Sequence, residues 1–222
     1  MTHDVPSATC RSEVDAFLAK HAPATVGNTR GRLIFAIDAT GSRQPTWDVA
    51  CGLQGEMFDA VADLGTLDAQ LVFYRGRECQ ASRWVSDGRA LAKLMTGITC
   101  LGGYTQIGKV LGHARRENAC HRVQAMVFVG DAMEEIPADL YAAARELGLP
   151  CFLFQEGADR VATQTFREIA QLTKGAHCYF NPSSPKQLRD LLRAVATYAV
   201  GGLNALAVSK NSAAAGLLQQ LK

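Results

Sequence analysis

Residues 33–42 read Leu33-Ile34-Phe35-Ala36-Ile37-Asp38-Ala39-Thr40-Gly41-Ser42, an apolar run that ends abruptly in a carboxylate and two hydroxyls. Consecutive apolar side chains without polar alternation describe a strand covered on both faces, as at the centre of a parallel sheet. Asp38 then stands at the carboxyl end of that strand, where open α/β sheets collect their ligands. Asp38, Thr40 and Ser42 alternate. An extended or looping backbone therefore points three oxygen-bearing side chains the same way, as a hard cation such as Mg²⁺ requires. A second reading stays open from this stretch alone, in which Thr40 and Ser42 cap the following helix and Pro45 opens it as a first-turn proline.

The pattern recurs at Ala125-Met126-Val127-Phe128-Val129-Gly130-Asp131, again a buried strand ending in a carboxylate. Between the two, Val49, Leu53, Met57, Ala60, Val61 and Leu64 recur at helical spacing and Gly65 supplies a stop. Strands are predicted over 69–74 and 79–85, and the short link Arg75-Gly76-Arg77 forces them into an antiparallel hairpin at the edge of the sheet. Helices are predicted from Ser86 to about Thr96, around Ile107, Val110, Leu111 and Ala114, over 137–147 and 161–172, and after Pro185 through Leu188, Leu191, Leu192, Val195 and Ala199. Further strands are predicted over 151–154 and 178–180. Alternating strands and helices with one edge hairpin make an α/β, doubly wound, mostly parallel sheet.

Three segments follow. Residues 1–30 are expected to form an N-terminal helical appendage, with a capping-box spacing at Ser12-Glu13-Val14-Asp15, an apolar face of Val14, Phe17 and Leu18, and an end at Pro23. Residues 31–200 form the main domain. Beyond Gly201-Gly202 the Ala, Ser, Asn and Gln content predicts a flexible C-terminal tail over 201–222, with Leu217, Leu218 and Leu221 as weak docking points.

The 222 residues are 48% hydrophobic and 20% charged, enough for one full-sized core. A net charge of +2 with scattered Lys and Arg argues for neither a nucleic-acid nor a membrane surface. The seven cysteines are odd in number, lie singly in apolar surroundings and form no Cys-x-x-Cys pair, as expected of reduced core residues in a cytoplasmic protein. No signal-peptide pattern opens the chain, and no apolar run approaches the length of about 18 residues that marks a membrane span.

The informative set is Asp38-x-Thr40-x-Ser42, the loop Gly102-Gly103-Tyr104-Thr105-Gln106-Ile107-Gly108, and Asp131, each at a strand tip or helix start. In this order the set resembles the von Willebrand factor type A (VWA) family. That family's metal-ion-dependent adhesion site (MIDAS) is written Asp-x-Ser-x-Ser, a Thr in a Gly-Gly-Thr-like loop, and an Asp ending a later strand. The resemblance covers about residues 31–200. Thr40 replaces the usual first Ser but keeps its hydroxyl, and Tyr104 intrudes between the glycine pair and Thr105. The resemblance implies a Rossmann-like fold in which Thr40, Ser42 and Thr105 bind Mg²⁺ or Mn²⁺ through hydroxyls, with Asp38 and Asp131 acting directly or through water. It further implies an adaptor rather than an enzyme, its cation keeping an open position for a Glu or Asp carboxylate of a partner protein. Few charged ligands leave such a cation available to an incoming carboxylate.

Neighbouring residues carry competing readings. Glu134 and Glu135 either tune the rim or are solvated charge, and Arg43, Trp47 and Tyr104 flank the set as candidate partner-reading side chains, with Trp47 better suited to packing under the first helix. Gly103 to Lys109 satisfies the start of a phosphate-binding Gly-x-x-x-x-Gly-Lys loop, but Val110 stands where Ser or Thr would hold Mg²⁺ and no convincing strand precedes it. There is no Gly-x-Ser-x-Gly elbow, and His113, His121 and His177 lack a paired nucleophile or metal-ligand spacing. An aspartyl-phosphate phosphatase of the haloacid-dehalogenase type needs a second Asp where Thr40 stands. The competing class is a Mg²⁺-dependent phosphohydrolase or nucleotide-binding enzyme.

Overall fold

The computed structural model describes residues 30–181 and 184–221. Its strands are β1 (Arg30–Asp38), β2 (Thr66–Arg75), β3 (Glu78–Val85), β4 (Ala125–Gly130), β5 (Cys151–Glu156) and β6 (Ala176–Phe180), which form one six-stranded sheet of order β3-β2-β1-β4-β5-β6. All pairings are parallel except β2 with β3, the predicted edge hairpin. The chain leaves β1 towards β2 on one side and returns at β4 on the other. β1 and β4 therefore flank the topological switch point, the crevice where such sheets bind ligands.

Side chains alternate across the sheet and explain the apolar run. Leu33, Phe35 and Ile37 enter one core beneath α1 (Gln44–Asp59), α2 (Gly88–Thr96) and α6 (Pro185–Val208). Ile34 and Ala36 enter the other, beneath α3 (Ile107–Cys120), α4 (Pro137–Arg145) and α5 (Arg160–Leu172). Each large side chain buried this completely contributes about 1.5–3 kcal/mol of transfer free energy, which makes β1 the axis of the domain.

Pro45 lies in the first turn of α1, as expected, and Asp87 caps α2 by accepting from the Ala90 N–H. Helix α6 is the described helix long and apolar enough to cross a membrane, but half of its most apolar window is buried inside the fold, and a core helix meets the same criterion.

The expectation of a flexible tail beyond Gly201-Gly202 is corrected. Gly202, at φ 65°, kinks α6, which continues to Val208, and α7 (Ser212–Gln220) then folds back onto the core. Leu206, Ala214 and Leu217 are buried, and Asn211 donates to the Asp190 carbonyl at 2.6 Å while its own oxygen caps α7. A composition rich in small residues hid an apolar face that has a surface to cover. The N-terminal helix expected within residues 1–30 lies outside the described residues, apart from Arg30, which begins β1.

Candidate metal centre

Asp38 is the last residue of β1 and is 1% exposed, while Asp131 follows the last residue of β4 on the adjacent strand. Asp38 Oδ1 accepts the Thr40 N–H at 2.7 Å, but Oδ2 is buried without a hydrogen-bond partner. The Tyr74 hydroxyl lies against this carboxyl and is likewise buried without a partner of good geometry. Burial pushes the Asp38 carboxyl above the usual carboxylate range; the Thr40 N–H and hydroxyl partly offset this, and the charge of Asp131 adds to it. Burial, then the Asp38 charge, likewise raises the Tyr74 phenol.

The capping reading of Thr40 and Ser42 does not survive. Thr40 makes no side-chain cap bond to the short 3₁₀ turn Gly41–Arg43, and α1 begins without a side-chain cap. The Ser42 hydroxyl instead donates to Asp131 Oδ2 at 3.4 Å, joining the β1 and β4 loops.

A third loop closes over these two. The Leu101 N–H donates to the Ala39 carbonyl at 3.0 Å, and Gly103 passes so close to the β2–β3 turn that a Cβ there would lie 2.5 Å from Gly76 backbone atoms. Gly76 itself has φ +54°, so glycine is needed on both sides of this approach. The loop ends in a reciprocal pair: the Thr105 N–H donates to Glu134 Oε2 and the Glu134 N–H donates to Thr105 Oγ1, each at 3.0 Å. Asp38 is thus bonded to Thr40 and Ser42 to Asp131, two pairs two residues apart along the β1 loop, whereas Thr105 is tied to Glu134, three residues beyond Asp131.

Glu134 is exposed and bonded to Thr105 at the edge of the set, so it is not idle surface charge, and Glu135 turns to backbone N–H groups. Glu135 accepts the Ile107 N–H and, at 2.9 Å, the Gly108 N–H at the start of α3, so a carboxylate fills the helix N-terminus that a phosphate-binding loop keeps for its anion. Lys109 Nζ bonds Gln106 Oε1 at 2.7 Å, and the segment before it is loop rather than strand. These bonds oppose nucleotide binding there.

Arg43 departs from its expected place at the rim. It is fully buried, hydrogen-bonded through Nη1 to Glu156 and 3.8 Å from Asp131 Oδ2, and Thr46 donates to the same Glu156 carboxylate. Its Nε and Nη2 have no partner. Trp47 is packed, its Nε1 donating to the Met95 carbonyl at 3.2 Å, whereas Tyr104 is 75% exposed beside Thr105. The sequence reading missed Glu156 and Tyr74. Glu156 ends β5 at the same carboxyl edge as Asp38, a positional signal that was available.

Among the described residues no group of three or more His, Cys, Asp or Glu side chains could hold a metal, so a site here depends on hydroxyls. Hydroxyls with two carboxylates are a hard donor set, and the unpartnered Asp38 Oδ2 is an acceptor left for such an ion. These residues fit Mg²⁺ or Mn²⁺ and offer nothing to a soft metal.

No family profile matches the chain, and no curated protein matches its sequence. Solved structures do match. The von Willebrand factor type A protein from Catenulispora acidiphila superposes with a TM-score of 0.61 at 18% identity, over 76% of this chain and 43% of that one. The SpRpn10 VWA domain gives 0.56 at 13% identity, over 72% and 94%. Proximal thread matrix protein 1 from the mussel byssus, with a zinc-occupied MIDAS motif, gives 0.56 at 14% identity, over 83% and 52%. The chain therefore spans nearly all of the SpRpn10 domain but only about half of the other two. What is shared at these identities is architecture: this protein has the von Willebrand A type fold.

Proposed function

We propose that this protein is a protein-interaction module whose Asp38, Thr40, Ser42, Thr105 and Asp131 hold Mg²⁺ or Mn²⁺, and through it a Glu or Asp carboxylate of a partner. The observation that carries the reading is the Asp38 carboxylate, buried at the switch point with one oxygen unpartnered and a second carboxylate and a serine hydroxyl joined beside it. A buried charge in that state is costly unless it is paired or coordinated. The cation supplies that pairing when bound. The chain's own residues do the rest: Glu134 fixes the Thr105 loop, Glu135 fixes the start of α3, and the exposed Tyr104 stands where a partner would meet it.

In this reading the module performs no chemistry of its own and works in the reducing cytoplasm, where thiols such as Cys51, Cys79 and Cys151 stay free. The test is capture of a partner by the immobilised chain from extract of its own cell, in Mg²⁺ and in chelator, with Asp38→Ala alongside. Retention in Mg²⁺ alone, lost in the variant, is the expected result. Turnover of a phosphate ester by the purified chain, lost in Asp38→Ala, would replace this reading with the phosphohydrolase.

A further inference from the structure

Arg43 follows the candidate ligand Ser42 directly, and its guanidinium is fully buried. One nitrogen, Nη1, faces two carboxylates: it is hydrogen-bonded to Glu156 and lies 3.8 Å from Asp131 Oδ2, the oxygen that also accepts from Ser42. Nε and Nη2 are buried without partners. A guanidinium held as a structural tie engages its planar fork in paired bonds. Here the rest of the fork is idle, so charge rather than hydrogen-bond geometry accounts for where the group sits.

We propose that Arg43 is a tethered competitor of the divalent cation. It supplies positive charge to Asp131 in the metal-free protein and sets the affinity with which a metal can take that carboxylate over. The proposal rests on the metal reading above and adds what tunes it. A cation arriving beside Asp131, whose side chain is 29% exposed, meets at close range the charge of a guanidinium that is itself fully buried. Glu156 is the counter-anchor, able to keep Arg43 paired once Asp131 has turned to the metal. The site is thereby held to weak affinity and fills with a cation that is abundant.

Mn²⁺ alone is the probe, with its free concentration read by electron paramagnetic resonance. The full chain is compared as wild type, Arg43→Gln, Glu156→Gln and the double variant, each with its melting temperature in chelator. Arg43→Gln should bind Mn²⁺ at least tenfold more tightly than wild type. The double variant should bind at least tenfold more tightly than Glu156→Gln, a background in which Asp131 is the carboxylate left to the guanidinium. A purely structural arginine would shift affinity the other way, because a loosened loop scatters its ligands. Equal or weaker Mn²⁺ binding in both comparisons overturns the proposal. If Arg43→Gln alone fails to fold because Glu156 is left unpaired, the second comparison decides. Absence of Mn²⁺ binding from wild type and every variant defeats the metal reading itself, and the proposal with it.

Discussion

Ser42 and Asp131, 89 residues apart in sequence, meet in a hydrogen bond of 3.4 Å from the serine hydroxyl to Asp131 Oδ2. The bond spans the gap between the tips of β1 and β4 and makes one site of two loops that leave the sheet separately. It also brings Asp131 near Asp38, whose buried carboxyl is already raised above its ordinary range.

Asp38→Ala should abolish Mg²⁺ binding and leave the fold intact. The substitution removes a buried carboxylate with an unpartnered oxygen and relieves repulsion from Asp131, while the Thr40 N–H loses its acceptor. The net change in chelator should be zero to about 1 kcal/mol of added stability, from opposing contributions of that size. Thermal melts in chelator check this, and a variant that cannot fold would make Asp38 a structural residue.

Mg²⁺ should stabilise the wild type by linkage, because a folded site binds the ion and the unfolded chain does not. At a free concentration near 100 times Kd the gain is about 2.7 kcal/mol, or roughly 5–10 °C in Tm for a chain of this size. Ser42→Ala and Thr105→Ala should each reduce it. Superimposable melting curves in saturating Mg²⁺ and in chelator would count against the site.

Gly103→Ala should weaken metal binding without touching a ligand. The added methyl would meet Gly76 backbone at 2.5 Å, so the loop carrying Thr105 must move away from the hairpin. The expected cost is about 1–3 kcal/mol of stability, as for other overpacked contacts. Gly102→Ala is the control, because a Cβ there meets nothing within 4 Å. Equal metal affinity in the two variants would refute the account of the loop.

Tyr104→Ala should weaken the hold on a partner and leave Mg²⁺ affinity unchanged, since the ring is 75% exposed and lies beside the candidate ligand Thr105. Charge reversal of the partner's acidic residue should cost about 2–5 kcal/mol, the range for breaking one side of a desolvated charge contact. Calorimetry with metal alone and then with the captured partner separates the two effects.

Far from the site, His177 predicts a pH dependence of stability. Burial, with the Arg167 charge adding to it, lowers the His177 pKa to about 4, and its Nε2 is 2.9 Å from Gln155 Oε1. The folded-state pKa lies below the unfolded value of about 6.5, so between the two the unfolded chain binds a proton that the folded chain refuses. Stability is therefore full above about pH 6.5 and falls as pH drops towards 4, by at most about 3 kcal/mol. Urea midpoints at pH 7.5, 5.5 and 4.5 should fall more steeply for wild type than for His177→Gln. Parallel declines would assign the effect to other groups, His113 among them, whose pKa burial also lowers.

The sequence by itself determined the strands, most of the helices and the hairpin edge, because these follow from local patterns. An apolar run without alternation can only be a doubly covered strand or a buried helix, and the flanking loops and strand length choose the strand. It also placed Asp38 and Asp131 at strand tips. Long-range packing decided the rest. Whether Ser42 caps a helix or reaches Asp131 depends on β4 being the neighbour of β1, which no local window contains. Arg43 beside an aspartate loop reads as a rim residue; only the arrival of Glu156 on β5 draws it inside. Residues 203–221 lack the density of large apolar side chains that marks a core element, and they fold because Leu206, Ala214 and Leu217 join the buried cluster on the α6 side of the sheet. Local pattern sets what each segment can become, and the energy that selects among those options comes from partners distant in sequence.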